Sequence, residues 1–251
     1  MSVPILANSG VSMTSFLRRT LSNTFAGTLA LAAASTALLG SVAVLPARAL
    51  PTEQVADRLA DVPVYVLGNE DGLLLLSTQE SADSASVYVF MSKPEADAFI
   101  ANHPEVSQGN QLLLLSLKEL YQQSQPEAEQ PLRLTLVPEA AETSQAVALN
   151  SEYPGGVPLF YAQREDGSLM PSLPEGSQEP VFPMFFSRED LESNLNTLGQ
   201  QNPEVRATIS IGVLPLEFLI GQLQANDEEL YNRIRLLPDS EVIQDISGAQ
   251  N

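Results

Sequence analysis

One stretch of this chain occurs twice, and that repetition constrains the fold more than any other feature. The first copy is Val87-Tyr-Val-Phe-Met-Ser-Lys-Pro-Glu-Ala-Asp-Ala-Phe-Ile100, and the second is Pro180-Val-Phe-Pro-Met-Phe-Phe-Ser-Arg-Glu-Asp-Leu-Glu-Ser-Asn-Leu195. Each opens with an apolar run that suits a buried strand. Each continues with a serine, Ser92 or Ser187, and an acid three residues on, Glu95 or Asp190. A serine oxygen at an N-cap accepts from a first-turn N–H, and an acid there complements the helix dipole, so strand, cap and acidic helix are expected in both copies.

The surroundings repeat in the same order. Val62-Pro-Val-Tyr65 matches Val157-Pro-Leu-Phe160, and Glu70-Asp-Gly72 matches Glu165-Asp-Gly167. Leu117-Lys-Glu-Leu-Tyr121 matches Pro215-Leu-Glu-Phe-Leu219, and Leu136-Val-Pro138 matches Leu236-Leu-Pro238. The offset grows from 95 to 98 to 100 residues along the chain, as short loop insertions produce. This pattern predicts an α/β (α+β) fold made by tandem duplication of one strand-rich unit, with mostly antiparallel sheet. The two repeats, residues 62–149 and 157–246, are expected to pack as one globular unit. Strands are expected near 62–67, 73–77, 87–91, 112–115 and 132–137, with helices at 93–102, 116–124 and 138–149. The second unit should repeat them near 157–162, 168–170, 181–186, 206–213 and 233–237, with helices near 188–199, 214–224 and 239–246. Pro215 suits a first helical turn. The helix after Pro138 shows only a thin apolar stripe of Ala141, Ala148 and Leu149.

Residues 1–49 contain Arg18, Arg19 and Arg48, no acid, and an apolar run from 25 to 45 that ends at Ala47-Arg-Ala49. These are the parts of a secretory signal peptide, with Ala47 and Ala49 at the cleavage site. A membrane anchor and an organellar transit peptide are the alternatives, and the arginine pair raises twin-arginine export as against the general route. Residues 50–61 form a linker-like segment with Val55, Leu59 and Val62 at helical spacing, read as a brief helix.

From residue 50 on, nine basic residues face all 31 acidic ones, which takes the formal charge from −19 to −22. Such a surface disfavours nucleic acid and anionic membranes. The chain has no Cys, so disulfide staples and thiol catalysis are excluded. The single histidine, His103, precedes Pro104 and reads as a surface turn residue. No nucleophile elbow, P-loop or dinucleotide fingerprint occurs, and the two Asp-Gly pairs suit hairpin turns better than a duplicated catalytic acid. No cofactor, metal or catalytic residue is therefore expected, and the chain reads as a non-enzyme.

Apolar surface remains. Phe90 and Met91 occupy the same repeat positions as Phe185 and Phe186, with Phe182 and Met184 beside them. Phe99, Leu120, Leu195 and Phe218 belong to the helices expected to cover those strands. Each suits an ordinary core. Together they suggest an apolar groove softened by methionine, with candidate polypeptide-binding residues Phe90, Met91, Phe99, Leu120, Met184, Phe185, Phe186 and Phe218. Because strand residues alternate faces, one of each neighbouring pair is expected in the core and the other in the groove.

The order of these motifs resembles one family. Val62-Pro-Val-Tyr65, Val89-Phe-Met-Ser-Lys-Pro-Glu-Ala-Asp-Ala-Phe99, Leu115-Ser-Leu-Lys-Glu-Leu-Tyr121, Gly156-Val-Pro-Leu-Phe160 and Phe185-Phe-Ser-Arg-Glu-Asp-Leu191 are similar to the Tic twenty-two-like family. That family comprises the twenty-two-kilodalton component of the chloroplast inner-envelope protein translocon and its cyanobacterial periplasmic relatives. The resemblance spans residues 50–245. It implies a pseudo-two-fold symmetric fold with apolar pockets, precursor translocation in plastids, and chaperone-like handling of outer-membrane proteins in cyanobacteria. It carries over no catalytic residue. The expected partners are unfolded or translocating polypeptides and an outer-membrane barrel-assembly or translocon complex, without stable membrane insertion or nucleic acid. The bacterial-style signal points to the periplasm of a cyanobacterium-like cell, with the thylakoid lumen or plastid intermembrane space as alternatives. An adaptor that docks such a complex without holding clients is the rival reading, and a hydrolase has the least support. Pro183 interrupts the second copy's strand, so the two halves are not expected to offer equivalent pockets.

Overall fold

The computed structural model describes residues 50–76, 85–174, 176–226 and 228–248. The candidate cleavage site at Ala47 and Ala49 lies outside them. Among the described residues no helix is long and apolar enough to cross a membrane. The described residues form one compact unit.

The repeat is visible in the strand pairings. The first half holds α1 (Thr52–Arg58), β1 (Pro63–Asn69), β2 (Gly72–Leu73), β3 (Val87–Phe90), α2 (Lys93–Asn102), a 3₁₀ turn (Pro104–Ser107), β4 (Gln111–Ser116), α3 (Leu117–Gln123), β5 (Leu134–Val137) and α4 (Ala140–Leu149). The second holds β6 (Pro158–Arg164), β7 (Phe182–Phe185), α5 (Arg188–Gln201), α6 (Pro203–Ala207), β8 (Ile209–Pro215), α7 (Leu216–Ala225), α8 (Glu229–Asn232), β9 (Ile234–Leu237) and α9 (Ser240–Gly248). β1 pairs antiparallel with β2, β3 and β4, while β3 pairs parallel with β5. β6 pairs antiparallel with β7 and β8, and β7 pairs parallel with β9. Repeat-related residues sit opposite one another: Tyr65 faces Phe90 as Phe160 faces Phe185.

Local chemistry explains the turns. Glu70 and Asp71 link β1 to β2, with Gly72 at φ 134° and the Asn69 side chain accepting from the Asp71 N–H. Gly167, at φ 80°, closes the matching turn after β6 with its N–H on the Arg164 carbonyl. Both are backbone shapes that only glycine adopts without strain. Pro183 interrupts no bond to β9. The N–H groups of Phe182 and Phe186 point to that strand, and Pro183 lies one residue from Phe182, on the opposite edge.

The repeated serines behave differently. The Ser187 hydroxyl accepts from the Asp190 N–H at 3.3 Å and caps α5. Ser92 precedes α2 but makes no capping bond, and its oxygen is buried without a partner. The expected cap there is thus absent. Glu95 instead turns to the N-terminus of α4, accepting from the Ala140 N–H at 2.9 Å. Asp190 does the same for α9, accepting from the Ser240 N–H at 2.9 Å. The acid of each copy caps the last helix of its own half. A capping box of Ser116 and Glu119 opens α3, whereas Pro215 is the N-cap of α7 and not its first turn.

Three cores result. The central one joins Val64, Val66, Val89 and Met91 of the first sheet to Leu159, Met184, Phe186 and Leu236 of the second, with α1, α3 and α7 contributing Val55, Leu120 and Leu219. The segment before the first repeat is therefore a core element, not a linker. Each sheet's other face has its own core, and there the halves exchange helices. Ala146 of α4 packs against Phe160 and Phe185 of the second sheet, while Val242 of α9 packs with Tyr65 and Phe90 of the first.

Candidate polypeptide-binding surface

Most of the candidate residues are inside. Alternation along the strands holds, but both faces of each strand are covered. Met91 and Phe186 point into the central core, and Phe90 and Phe185 into the outer ones. Leu120 and Met184 are also buried centrally. The expected groove-facing member of each pair is thus a second core residue, because the exchanged helices roof the outer faces. Phe99 is partly buried and packs on Tyr88 and Phe90, with ring centroids 5.4 and 5.2 Å away. Only Phe218 among the candidates is open to solvent, 56% exposed on α7. His103 ends α2, its ring 4.7 Å from that of Phe99.

Accessible apolar surface lies elsewhere. Tyr65 and Leu114 are cross-strand partners on the outer face of the first sheet. With Pro94 of α2 and Ile246 of α9 they line a groove of about 640 Å³, rimmed by Lys93, Asp97 and Asp245. Leu114 is 43% exposed there. The burial of its phenol, and then the charge of Asp245, push Tyr65 above the usual tyrosine range. A second groove, of about 310 Å³, runs between α3, α7 and β5 over Leu59, Leu117, Leu136 and Ile220. At its mouth Gln224 donates to the Tyr121 hydroxyl at 2.9 Å. The run Leu112 to Leu115 gave the signal for the first groove, but as an apolar strand it could be placed only in a core.

An acidic cleft opens beside the seam between the halves. The N-termini of α4, α5 and α9 meet around a cleft of about 470 Å³ lined by Glu139, Glu142, Glu189, Asp190, Asp239 and Glu241. Glu142 accepts from the Arg188 N–H at 3.2 Å. Burial, augmented by Glu139, Asp239 and Asp190, raises Glu142 to about 7 against the pull of that N–H. Burial also raises Glu139 and Asp239. The sequence pointed to Ala141 and Ala148 as the buried stripe of α4, but both are exposed. The buried stripe runs through Glu142 and Ala146 to the half-buried Leu149. A carboxylate on the inward face defeats a reading based on apolar spacing.

These features define a class: an α+β unit of two like sheets with exchanged outer helices and apolar surface grooves. Residues 8–247 match the model of the Tic22-like family, and the chain belongs to that family. It is 24% identical over 190 residues to the Pisum sativum protein TIC 22, chloroplastic, covering 72% of this chain and 71% of that one. It is 23% identical over 176 residues to the Arabidopsis thaliana protein TIC 22-like, chloroplastic, covering 66% of this chain and 53% of that one. The chain thus spans about half the length of the Arabidopsis relative. Among solved structures, Anabaena Tic22, described as a protein of protein transport, superposes with a TM-score of 0.66 at 24% identity, covering 79% of this chain and 97% of that one. Tic22 from Plasmodium falciparum superposes at 0.60 and 18% identity, covering 78% and 97%. These two likenesses establish the shared fold.

Proposed function

We propose that this chain is a non-enzymatic protein-transport factor that binds translocating or outer-membrane precursor polypeptides in a chaperone-like way. One observation carries the reading: Leu114, on the edge strand β4, lies open in an apolar groove whose floor is its buried cross-strand partner Tyr65. An extended apolar segment lying there would bury Leu114 against the groove floor, with the driving force set by the area removed from water. Family membership and the relatives' names support protein transport as the setting. The acid-free, Ala-rich N-terminal stretch supports export, with the periplasm of a cyanobacterium-like cell as the compartment. The formal charge of −19 favours basic or neutral clients, a preference that fades with salt.

The test uses purified protein and an unfolded outer-membrane protein whose aggregation is followed by light scattering. Leu114→Asp should weaken suppression by roughly tenfold while moving the melting temperature by less than about 2 °C. Undiminished suppression removes the groove from the reading. A wild-type protein that holds no client yet copurifies with a single membrane assembly complex is the adaptor instead.

A further inference from the structure

The repeat places Glu142 where its counterpart half carries Val242, each four residues beyond the matching Pro138 or Pro238. Val242 is an ordinary core residue. Glu142 is only 8% exposed, yet its hydrogen-bonding partner among the described residues is the Arg188 N–H at the start of α5. An acid in an apolar position costs stability when ionised unless a cation faces it. No cation does. Among the described residues, those lining the acidic cleft and the adjoining seam void include no Lys, Arg or His. The Arg188 guanidinium turns away to Glu192, 2.7 Å distant. The groups facing Glu142 are Glu139 at the N-cap of its own helix, Glu189 and Asp190 on α5, Asp239 just before α9 and Glu241 on α9, with Glu95 of α2 behind Glu139. On the other side of Glu142 lies a water-sized void of about 20 Å³, lined mostly by apolar residues, Met91, Phe186, Val62 and Val157 among them, with Glu139, Glu142 and Asp239 at its acidic end. Glu142 therefore stands between an open acidic cleft and the apolar seam that joins the two halves.

We propose that Glu142 is a proton-operated latch: protonated, it holds α4 against the start of α5 and keeps the seam over Met91 and Phe186 dry, and ionised, it admits water and loosens that seam. The neutral carboxyl keeps its carbonyl oxygen on the Arg188 N–H while shedding repulsion from Glu139, Asp239 and Asp190. Its folded-state value, near 7, lies above the ordinary 4.5. The latch is thus fully engaged below about pH 4.5 and is released as pH rises through about 7. This device is a property of the seam and holds whether or not the outer groove binds polypeptides.

The experiment follows the full chain by NMR between pH 4.5 and 8.5, reading the Met91 methyl resonance and hydrogen exchange at the Arg188 amide. In the wild type the Met91 resonance should titrate with a midpoint near 7, and Arg188 protection, corrected for intrinsic exchange, should fall by roughly tenfold as pH rises. Glu142→Gln should abolish both changes. Asp239→Asn, which keeps a polar cap on α9, should lower the midpoint by removing one repelling charge. The proposal is overturned if Glu142→Gln folds and retains the wild-type titration. Should that variant not fold, an unmoved midpoint in Asp239→Asn overturns it equally.

Discussion

The outer faces of the two sheets start from matching residues and end differently. Tyr65 and Leu114 on the first correspond to Phe160 and Val213 on the second, each pair sitting cross-strand. Phe160 is fully buried and Val213 packs against a core that includes Ala146, Tyr153, Leu191 and Leu195. Tyr65 belongs to a smaller core with Phe90, Ala96 and Val242, and Leu114 remains in the groove. Two substitutions account for much of this. α2 brings Ala96 where α5 brings Leu191, so the first sheet has less roof. The turn after α4 adds Tyr153, whose hydroxyl donates to the Gly156 carbonyl at 3.2 Å and fixes the ring over the second sheet. Equal topology therefore does not produce equal surfaces. A few side-chain volumes on the covering helices decide which sheet presents apolar surface to a partner.

The comparison can be broken most directly at its centre. Phe160→Ala should cost about 3–5 kcal/mol in denaturant unfolding, whereas Tyr65→Ala, with the groove on one side to relax into, should cost distinctly less. Equal losses would mean the first face is as tightly packed as the second. A finer probe is the edge partner. Val213→Ala should lose about 1–2 kcal/mol as a partly buried aliphatic, and Leu114→Ala less than about 0.5 kcal/mol as a surface residue. The smallest contrast lies at the repeated serines. Ser187→Ala should cost about 1 kcal/mol through the lost cap on α5, while Ser92→Ala, which removes a hydroxyl with no partner, should leave stability unchanged or slightly raised. A matching loss at Ser92 would show that its hydroxyl is satisfied in solution.

Glycine sharpens the same contrast. A Cβ at Gly212 would lie 2.5 Å from the Tyr161 ring, so the second sheet admits that ring only because its cross-strand partner has no side chain. In the first sheet the corresponding pair is Val66 and Leu113, two ordinary aliphatics. No repeat match predicted this, because the matched blocks include neither Tyr161 nor Gly212.

The chain's own sequence determined the repeat, most of the strands and helices, the helix at Thr52–Arg58 and the capping box at Ser116, because periodicity and cap chemistry act within a few residues. It missed the short helices α6 and α8, and the strand expected near 168–170 is a single bridge between Leu169 and Gln163. It determined alternation along Phe90–Met91 and Phe185–Phe186 for the same reason. Tertiary structure decided what those faces meet. Apolar spacing cannot say whether a strand face is covered by a helix of its own half or of the other, so the exchange of α4 and α9 turned the expected groove residues into core. The same exchange carried Glu142 into the seam and left Leu114 outside. Burial belongs to the partner an element finds across the fold, and only the folded chain brings Ala146 to Phe160 and Val242 to Phe90.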